Sequence, residues 1–364
     1  MPPIISELQA RRDRVTASLA PKKLDALIIS AAPNVRYLSG FTGSNGMLLV
    51  WPGGAILFTD PRYEIQAAQE TDCRVKVARG PLYAALMKAA NSKKLRSLGF
   101  EAGRITYDAY EQLRIGLGLN GTLAPVAGVV ETVRMVKSEA EIALIERSVL
   151  TNSAAYEKAM RRVKPGVTEA DLATEIEYQM RRLGAQKPAF DTLVAAGPRS
   201  ALPHAQPTAN RLENNQLLLV DVGASQDGYA SDMTRMAFLG RPGAKVKRLY
   251  QAVLEAQLAA LDAVRPGVRA EQVDRAARRV LRAAGLDKAF VHSTGHGVGL
   301  EIHEPPRIGR RDRTVLAAGM VITVEPGAYL EGFGGVRIED TVVVTASGCR
   351  ILTPTSKELL LLPF

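Results

Sequence analysis

Four histidines occur in the chain, His204, His292, His296 and His303, and three of them fall within one twelve-residue stretch. That stretch reads His292-Ser293-Thr294-Gly295-His296-Gly297-Val298-Gly299-Leu300-Glu301-Ile302-His303. A single histidine is ordinarily structural, but this concentration beside a Gly-His-Gly-x-Gly run points to a site. The glycines are expected to let the backbone turn tightly and to leave room for a ligand near His296.

Carboxylates in unfavourable places supply the rest. Asp221 ends the apolar run 217–220, and Asp232 follows eleven residues on, across a turn. Glu325 ends the run 321–324 and precedes Pro326-Gly327, while Glu339 and Asp340 interrupt the run 335–344. A buried carboxylate is expensive unless it is paired or bound to a metal. Four strand-borne acids and a histidine in one region share a simple purpose, which is to hold cations. An oxygen-rich set with one imidazole suits Mn²⁺, Fe²⁺ or Co²⁺, with Zn²⁺ as a further alternative. Five such ligands, four of them anionic, can hold two ions a few ångströms apart. Two ions sharing a water would lower its pKa and supply hydroxide near neutral pH. The remaining histidines would then stabilise charge developing on a substrate oxygen.

These residues need strands and loops to present them. The first part of the chain alternates β-type runs at 24–30, 46–51, 55–59 and 98–101 with helical patterns at 4–19, 62–70, 82–90 and 107–117. Pro52-Gly53-Gly54 reads as a turn between two of those strands. This predicts an α/β domain over residues 1–130. Ser138-Glu139-Ala140-Glu141 then fits a capping box that opens a helix running to about Arg162. The rest, residues 138–364, contains an internal repeat. Val163-Lys164-Pro165-Gly166-Val167 is matched 101 residues later by Val264-Arg265-Pro266-Gly267-Val268. Without a gap, Leu172 aligns with Val273, Met180 with Leu281 and Gly184 with Gly285. Each copy reads as helix, Pro-Gly turn, helix and capping glycine, so two similar halves should face one another across a cleft. β-rich segments follow each copy, at 216–222, 229–238, 319–324 and 335–345, with Asp227-Gly228 as a hairpin turn between the first two.

Bulk properties bound the rest. With 364 residues, 46% hydrophobic and 23% charged, the composition is that of a globular protein of two domains. The two cysteines, Cys73 and Cys349, suggest unpaired thiols in a reducing compartment. Residues 1–7 lack the pattern of a secretory leader, and no run approaches the length of a membrane span, so a cytoplasmic location with no membrane partner is expected. The net charge of +10 raises the question of nucleic acid. Most arginines are scattered through helical segments and read as solvated faces. Only Arg310-Arg311 with Arg313 forms a loop cluster, and nucleic acid is not the expected partner.

Taken together, these motifs resemble the creatinase/aminopeptidase P/prolidase group of metallopeptidases, family M24B. The resemblance covers nearly the whole chain. It rests on Phe190-Asp191-Thr192-Leu193-Val194-Ala195-Ala196-Gly197-Pro198 with Leu202-Pro203-His204, and on Asp221-Val222-Gly223-Ala224 through Ser231-Asp232-Met233-Thr234-Arg235. The 292–303 stretch, Val324-Glu325-Pro326-Gly327 and Val336-Arg337-Ile338-Glu339-Asp340 complete it, with 34–46 and 58–63 similar to that group's N-terminal domain. Ser293 departs from the glycine often found there, with little effect expected. The resemblance implies an α+β pita-bread catalytic domain with an internal pseudo-twofold duplication, preceded by a smaller α/β creatinase-type domain. It implies metal ligation by Asp221, Asp232, His296, Glu325 and Glu339, with Asp232 and Glu339 bridging two divalent ions, Mn²⁺ before Co²⁺, Fe²⁺ or Zn²⁺. His204, His292 and His303 would line the substrate and transition-state pocket, Arg337 would support the site, and Glu325 would move a proton. The implied reaction is hydrolysis of the bond between an N-terminal residue and proline, in a homodimer. The substrate would be an Xaa-Pro dipeptide, with Xaa-Pro-peptides as the alternative; the compact spacing from Glu325 to Glu339 leans toward the dipeptidase. Methionine aminopeptidases share the ligand set but not the N-terminal domain, His292 or the Val-Arg-Ile-Glu-Asp run. Creatinase-type amidinohydrolases and the non-catalytic binding modules of this fold lack the intact set.

Overall fold

Two compact units, residues 1–134 and 135–364, divide the chain. The computed structural model describes residues 3–117 and 121–363. Residues 1–2, at the head of the stretch read for a leader, lie outside the described residues. Among the described residues no helix is long and apolar enough to cross a membrane.

In order, the first unit runs α1 (Pro3–Ala17), β1 (Ala26–Ile29), α2 (Ala32–Ser39), β2 (Gly46–Trp51), β3 (Gly54–Thr59), α3 (Glu64–Glu70), β4 (Arg74–Val77), α4 (Leu82–Ser92), β5 (Ser97–Glu101), α5 (Tyr107–Leu117), β6 (Thr122–Val126) and α6 (Val129–Arg134). Its sheet has the order β4-β3-β2-β1-β5-β6. β2 pairs antiparallel with β1 and β3, and the remaining pairs are parallel. All four residues of β1 are buried, as expected of a strand covered on both faces, and such strands read as unbroken apolar runs. The two strands that periodicity does not reveal, β4 and β6, are the sheet's edges. β4 is Arg-Val-Lys-Val and is never fully buried, and β6 carries Pro125, which an edge tolerates because it need not donate there.

The second unit begins with the capping box. Ser138 Oγ accepts from the Glu141 N–H at 3.3 Å, and Glu141 Oε2 accepts from the Ser138 N–H at 3.0 Å. Its first half comprises α7 (Glu139–Met160), α8 (Glu169–Arg182), β7 (Lys187–Pro188), β8 (Leu193–Ala196), β9 (Gln216–Val222), β10 (Ala224–Gln226), β11 (Tyr229–Ala230) and β12 (Met233–Leu239). The second half comprises α9 (Ala244–Ala263), α10 (Ala270–Ala283), β13 (Gly295–Gly297), β14 (Glu304–Ile308), β15 (Val321–Val324), β16 (Gly327–Leu330), β17 (Gly334–Arg337), β18 (Asp340–Val344), β19 (Cys349–Ile351) and β20 (Leu360–Leu362). The main sheets have the orders β20-β12-β9-β8 and β14-β13-β15-β18-β19. Asp227 and Gly228 both take positive φ, 51° and 78°, and join β10 to β11 as a tight hairpin.

The duplication is visible in the backbone. The turn glycines Gly166 and Gly267 have φ of 89° and 84°, and the glycines that end α8 and α10, Gly184 and Gly285, have φ of 107° and 73°. Each second helix is anchored in the same way. Val167 O accepts from Leu212 N at 2.9 Å and Val268 O from Leu316 N at 2.8 Å. Glu169 N donates to Asn210 O and Ala270 N to Thr314 O.

β9 lies between two cores. Leu218, Val220 and Val222 pack with Tyr156, Ile176 and Met180 of the first helix pair. Leu217 and Leu219 pack with Val253, Ala256, Ile322 and Val342 of the second half. The period of two therefore carries Asp221 to the same face as Leu217 and Leu219, away from α7 and α8.

Candidate metal centre

The nine residues singled out in the sequence, His204, Asp221, Asp232, His292, His296, His303, Glu325, Arg337 and Glu339, all line one cavity of about 760 Å³. Asp221 comes from β9 and Asp232 from the residue before β12. His296 is the centre of β13, Glu325 follows β15, Arg337 ends β17 and Glu339 precedes β18. Asp232, His296 and Glu339 each present a ligand atom, and these atoms lie within 4.8 Å of one another. His296 Nε2 is also 3.5 Å from Asp232 Oδ2 and 3.4 Å from Glu325 Oε1. His296 Nδ1 lies 3.1 Å from Gly297 O, and a carbonyl only accepts, so the proton belongs on Nδ1 and the Nε2 lone pair faces the acids. That is the tautomer a metal ligand requires. Burial, with His303 nearby, lowers the His296 pKa to about 4, so the ring is neutral at pH 7.

Arg337 organises the opposite wall. It is 3% exposed, and its Nη2 donates to Asp221 Oδ2 at 2.5 Å. Its Nε donates to Thr234 Oγ1 at 3.0 Å, and its Nη1 reaches both Tyr329 OH at 2.8 Å and Pro203 O at 3.2 Å. Thr234 Oγ1 in turn donates to Glu339 Oε2 at 2.8 Å. His292 Nδ1 is 2.8 Å from Ser293 O, so Nε2 accepts from Tyr329 OH at 2.9 Å. Both of its ring nitrogens are thus engaged, and burial first and Arg337 second lower its pKa to about 4. His303 packs edge-on against His296 with ring centroids 4.4 Å apart, while His204 is exposed on the loop between β8 and β9.

Four carboxylates against one guanidinium leave an excess of negative charge in a buried place. Burial, reinforced by Glu339, Asp221 and Glu325, pushes the Asp232 carboxyl well above the usual range. Burial and the neighbouring Glu325 and Asp221 do the same to Glu339, and Glu325 is pushed up to about 7, mainly by burial. The buried Asp221 Oδ1 has no hydrogen-bond partner. Buried anions that repel one another, an orphaned carboxylate oxygen and an imidazole lone pair aimed among them fit a cation-holding role, so the residues present suit divalent metal.

This charge has a pH consequence. The raised carboxyl pKa values mean that the metal-free folded chain binds protons which the unfolded chain has already released. Its stability therefore falls as pH rises from the ordinary carboxylate range through about 7, where Glu325 titrates. Cations bind the ionised forms and restore that stability while displacing protons. The gain in melting temperature on adding Mn²⁺ is thus expected to be larger at pH 8 than at pH 5.5. Calorimetry in buffers of different ionisation enthalpy should show net proton release near pH 6.5; a gain that shrinks with rising pH would contradict this account.

The glycines of the Gly-His-Gly run act differently from the expectation that they leave room for a ligand. A Cβ on Gly295 would stand 2.0 Å from Thr323 O, and one on Gly297 would stand 2.2 Å from Pro305 O. The space is taken by the backbone of neighbouring segments, and neither glycine has positive φ. They bring strands close around His296. Tyr329 and Thr234 are site residues that the motif reading passes over. Thr234 carried a signal, since it is two residues from Asp232 on β12 and pairs with Asp221 on β9.

Comparison with known proteins identifies the family. Residues 143–346 match the model of metallopeptidase family M24, and residues 11–136 match the creatinase/prolidase N-terminal domain. The chain is 39% identical over 338 residues to an Xaa-Pro dipeptidase of Pyrococcus horikoshii, covering 93% of this chain and 95% of that protein. A solved Xaa-Pro dipeptidase from Bacillus anthracis superposes with a TM-score of 0.95 at 35% identity, over 98% of this chain and 100% of that one. An X-Pro aminopeptidase from Thermotoga maritima gives 0.88 at 37% identity, over 93% and 98%. With a creatinase-type α/β domain leading a duplicated α+β catalytic domain whose cavity gathers the four singled-out carboxylates and all four histidines from both halves, this chain belongs to metallopeptidase family M24.

Proposed function

We propose that this chain is an Xaa-Pro peptidase, acting with two divalent ions that Asp221, Asp232, His296, Glu325 and Glu339 would hold. The single observation that carries the reading is the buried excess of carboxylates around Nε2 of a neutral His296. We assign Mn²⁺, with Co²⁺, Fe²⁺ and Zn²⁺ as alternatives, because the donor set is rich in hard oxygen. Bound there, divalent ions supply Lewis acidity and lower the pKa of water toward neutrality.

The chain's own groups do the rest. Arg337 orients Asp221 through their 2.5 Å pair. His303 and His204, beside the acid cluster on the cavity wall, are placed to donate to an oxygen on which negative charge develops. His292, kept neutral by burial and by Arg337, is held in place by Tyr329 and Ser293 and forms a rigid part of the wall. Glu325 is the proton carrier. Proline's nitrogen belongs to a tertiary amide and leaves poorly unless protonated, so a carboxyl that can take and return a proton at that atom is required. Proline also offers no N–H, and the substrate needs a pocket in place of a β-type groove.

The names of the Pyrococcus horikoshii and Bacillus anthracis proteins support an Xaa-Pro dipeptide as the preferred substrate. The Thermotoga maritima neighbour, together with a second cavity next to the first, supports cleavage of longer Xaa-Pro-peptides as the second reading. We take the working form to be a cytoplasmic homodimer. Hydrolysis of Ala-Pro and of Ala-Pro-Ala, with metal stripped and then with Mn²⁺ restored, tests these statements. The stripped protein should be inactive and Mn²⁺ should restore cleavage, faster on the dipeptide. Preference for the tripeptide would select the second reading. Cleavage of neither, with the fold intact and each metal supplied in turn, would overturn the peptidase reading in favour of a binding module.

A further inference from the structure

The wall that closes the catalytic cavity is also the wall of a larger one, of about 1180 Å³, and His292, Ser293, Arg307 and Asp312 line both. Lys288, Arg310, Arg311 and Arg313 line the second cavity only, and all four are exposed. Two acids share that lining, and each has another commitment. Asp287 faces Arg282 at 3.4 Å. Asp312 Oδ2 accepts from the Arg307 N–H at 3.0 Å, and its Oδ1 accepts from the Thr314 N–H at 2.8 Å. The carboxylate inside the loop is therefore spent on closing the loop's backbone. Among the described residues, Lys288, Arg310, Arg311 and Arg313 form no ion pair. The Arg310, Arg311 and Arg313 side chains are exposed, and a concentration of unpaired guanidinium groups is suited to carboxylate, which Arg binds through two parallel N–H donors.

The two cavities are oppositely charged, and this gives a peptide a direction. Asp221, Asp232, Glu325 and Glu339 gather in the first, and the four cations sit in the second. A peptide at neutral pH has a cationic amine at its start and anionic groups toward its end. Coulomb attraction places the amine among the acids and the following chain toward the arginines. Divalent ions among the acids offset the negative end and leave the positive end unchanged, which strengthens the preference for anions beyond the scissile bond.

We propose that this second cavity docks acidic residues following the proline, so that the favoured long substrates are Xaa-Pro-peptides with Asp or Glu on the leaving side. The proposal rests on the second peptidase reading above, cleavage of longer Xaa-Pro-peptides, and adds their substrate class. It also accounts for the one arginine cluster in the chain that stands apart from the helical faces.

The test uses the full chain with Mn²⁺ and two readouts. In the first, calorimetry measures binding of uncleavable analogues of Ala-Pro-Glu-Glu, Ala-Pro-Gln-Gln and Ala-Pro-Lys-Lys, in which the scissile carbonyl is reduced to CH₂. The Glu-Glu analogue should bind about tenfold more tightly than Gln-Gln at low ionic strength, and Lys-Lys more weakly than either. The ratio should shrink toward 1 in about 0.5 M salt, where exposed charges are screened. In Arg310→Gln/Arg311→Gln/Arg313→Gln it should fall to about 1 at low salt as well, and in the charge-reversed Arg311→Glu variant it should drop below the wild-type ratio. Equal binding of Glu-Glu and Gln-Gln by the wild-type chain, or a preference that survives the triple substitution, overturns the proposal. The second readout is Ala-Pro hydrolysis in the same preparation, which reports on the peptidase reading alone, so failure of the one is told apart from failure of the other.

Discussion

Replacing Asp232 with asparagine is expected to remove bound metal and peptidase activity together while making the metal-free protein more stable at pH 8. The side chains are nearly the same size, and the backbone contact at this residue, Thr341 Oγ1 donating to Asp232 O at 2.8 Å, survives the change. What disappears is one negative charge from a buried group that also contains Glu339, Asp221 and Glu325. Repulsion within the cluster falls, so the unloaded fold gains. The same change removes a carboxylate whose Oδ2 lies 3.5 Å from His296 Nε2, and with it a ligand. Losing an outer partner of a metal site costs roughly 10–100-fold, and losing a ligand that would join two ions should cost more. Metal content after dialysis, turnover and melting temperature should therefore move in opposed directions, the first two down and the third up. A variant that keeps full activity would sink the ligand assignment, and one that simply unfolds would show that the carboxylate is structural.

The second large effect is expected from Arg337→Met. The guanidinium touches Asp221, Thr234, Tyr329 and Pro203 at once, and methionine fills part of its volume without any of those bonds. Asp221 would be left with neither oxygen paired, since its Oδ1 already has no partner. Breaking a buried ion pair from one side costs about 3–5 kcal/mol. In a unit of this size that should lower the metal-free melting temperature by about 10 °C. Lysine should not rescue it, because one ammonium cannot replace a planar fork that serves several acceptors. Added Mn²⁺ should recover part of the stability, because cations supply the charge that Asp221 has lost. A melting temperature unchanged from wild type would mean that the pair described here does not hold the wall together.

Much of this was legible in the chain, for reasons that particular residues make plain. An acid at the end of an unbroken apolar run, as at Asp221 and Glu325, is visible because burial is so costly for it. The repeat was visible because both of its turns need glycine at positive φ and both of its second helices need a capping glycine. Buried strands such as β1, β2 and β9 were visible as apolar runs, whereas β4 and β6 were not, because an edge strand buries too little to leave a pattern. The purpose of Gly295 and Gly297 was misjudged, since a glycine that admits a neighbouring carbonyl looks in sequence the same as one that admits a ligand. Tyr329 was passed over for a similar reason. An aromatic residue on a short strand is usually core, and only the position of its hydroxyl between Arg337 and His292 reveals a different task.

The split origin of the candidate ligands governs how fast ions could be exchanged. Asp221 and Asp232 ride on the sheet of the first repeat, and His296, Glu325 and Glu339 on strands and turns of the second. Relaxing a single loop releases at most part of that set. Full departure requires the two repeats to part, and β9, with Leu217 and Leu219 set in the core of the second half, resists that. Loss of metal to a chelator would then be paced by cooperative opening of the second unit. Its rate would climb steeply with temperature, as unfolding rates do, and would not depend on how much chelator is present once capture is faster than reclosing.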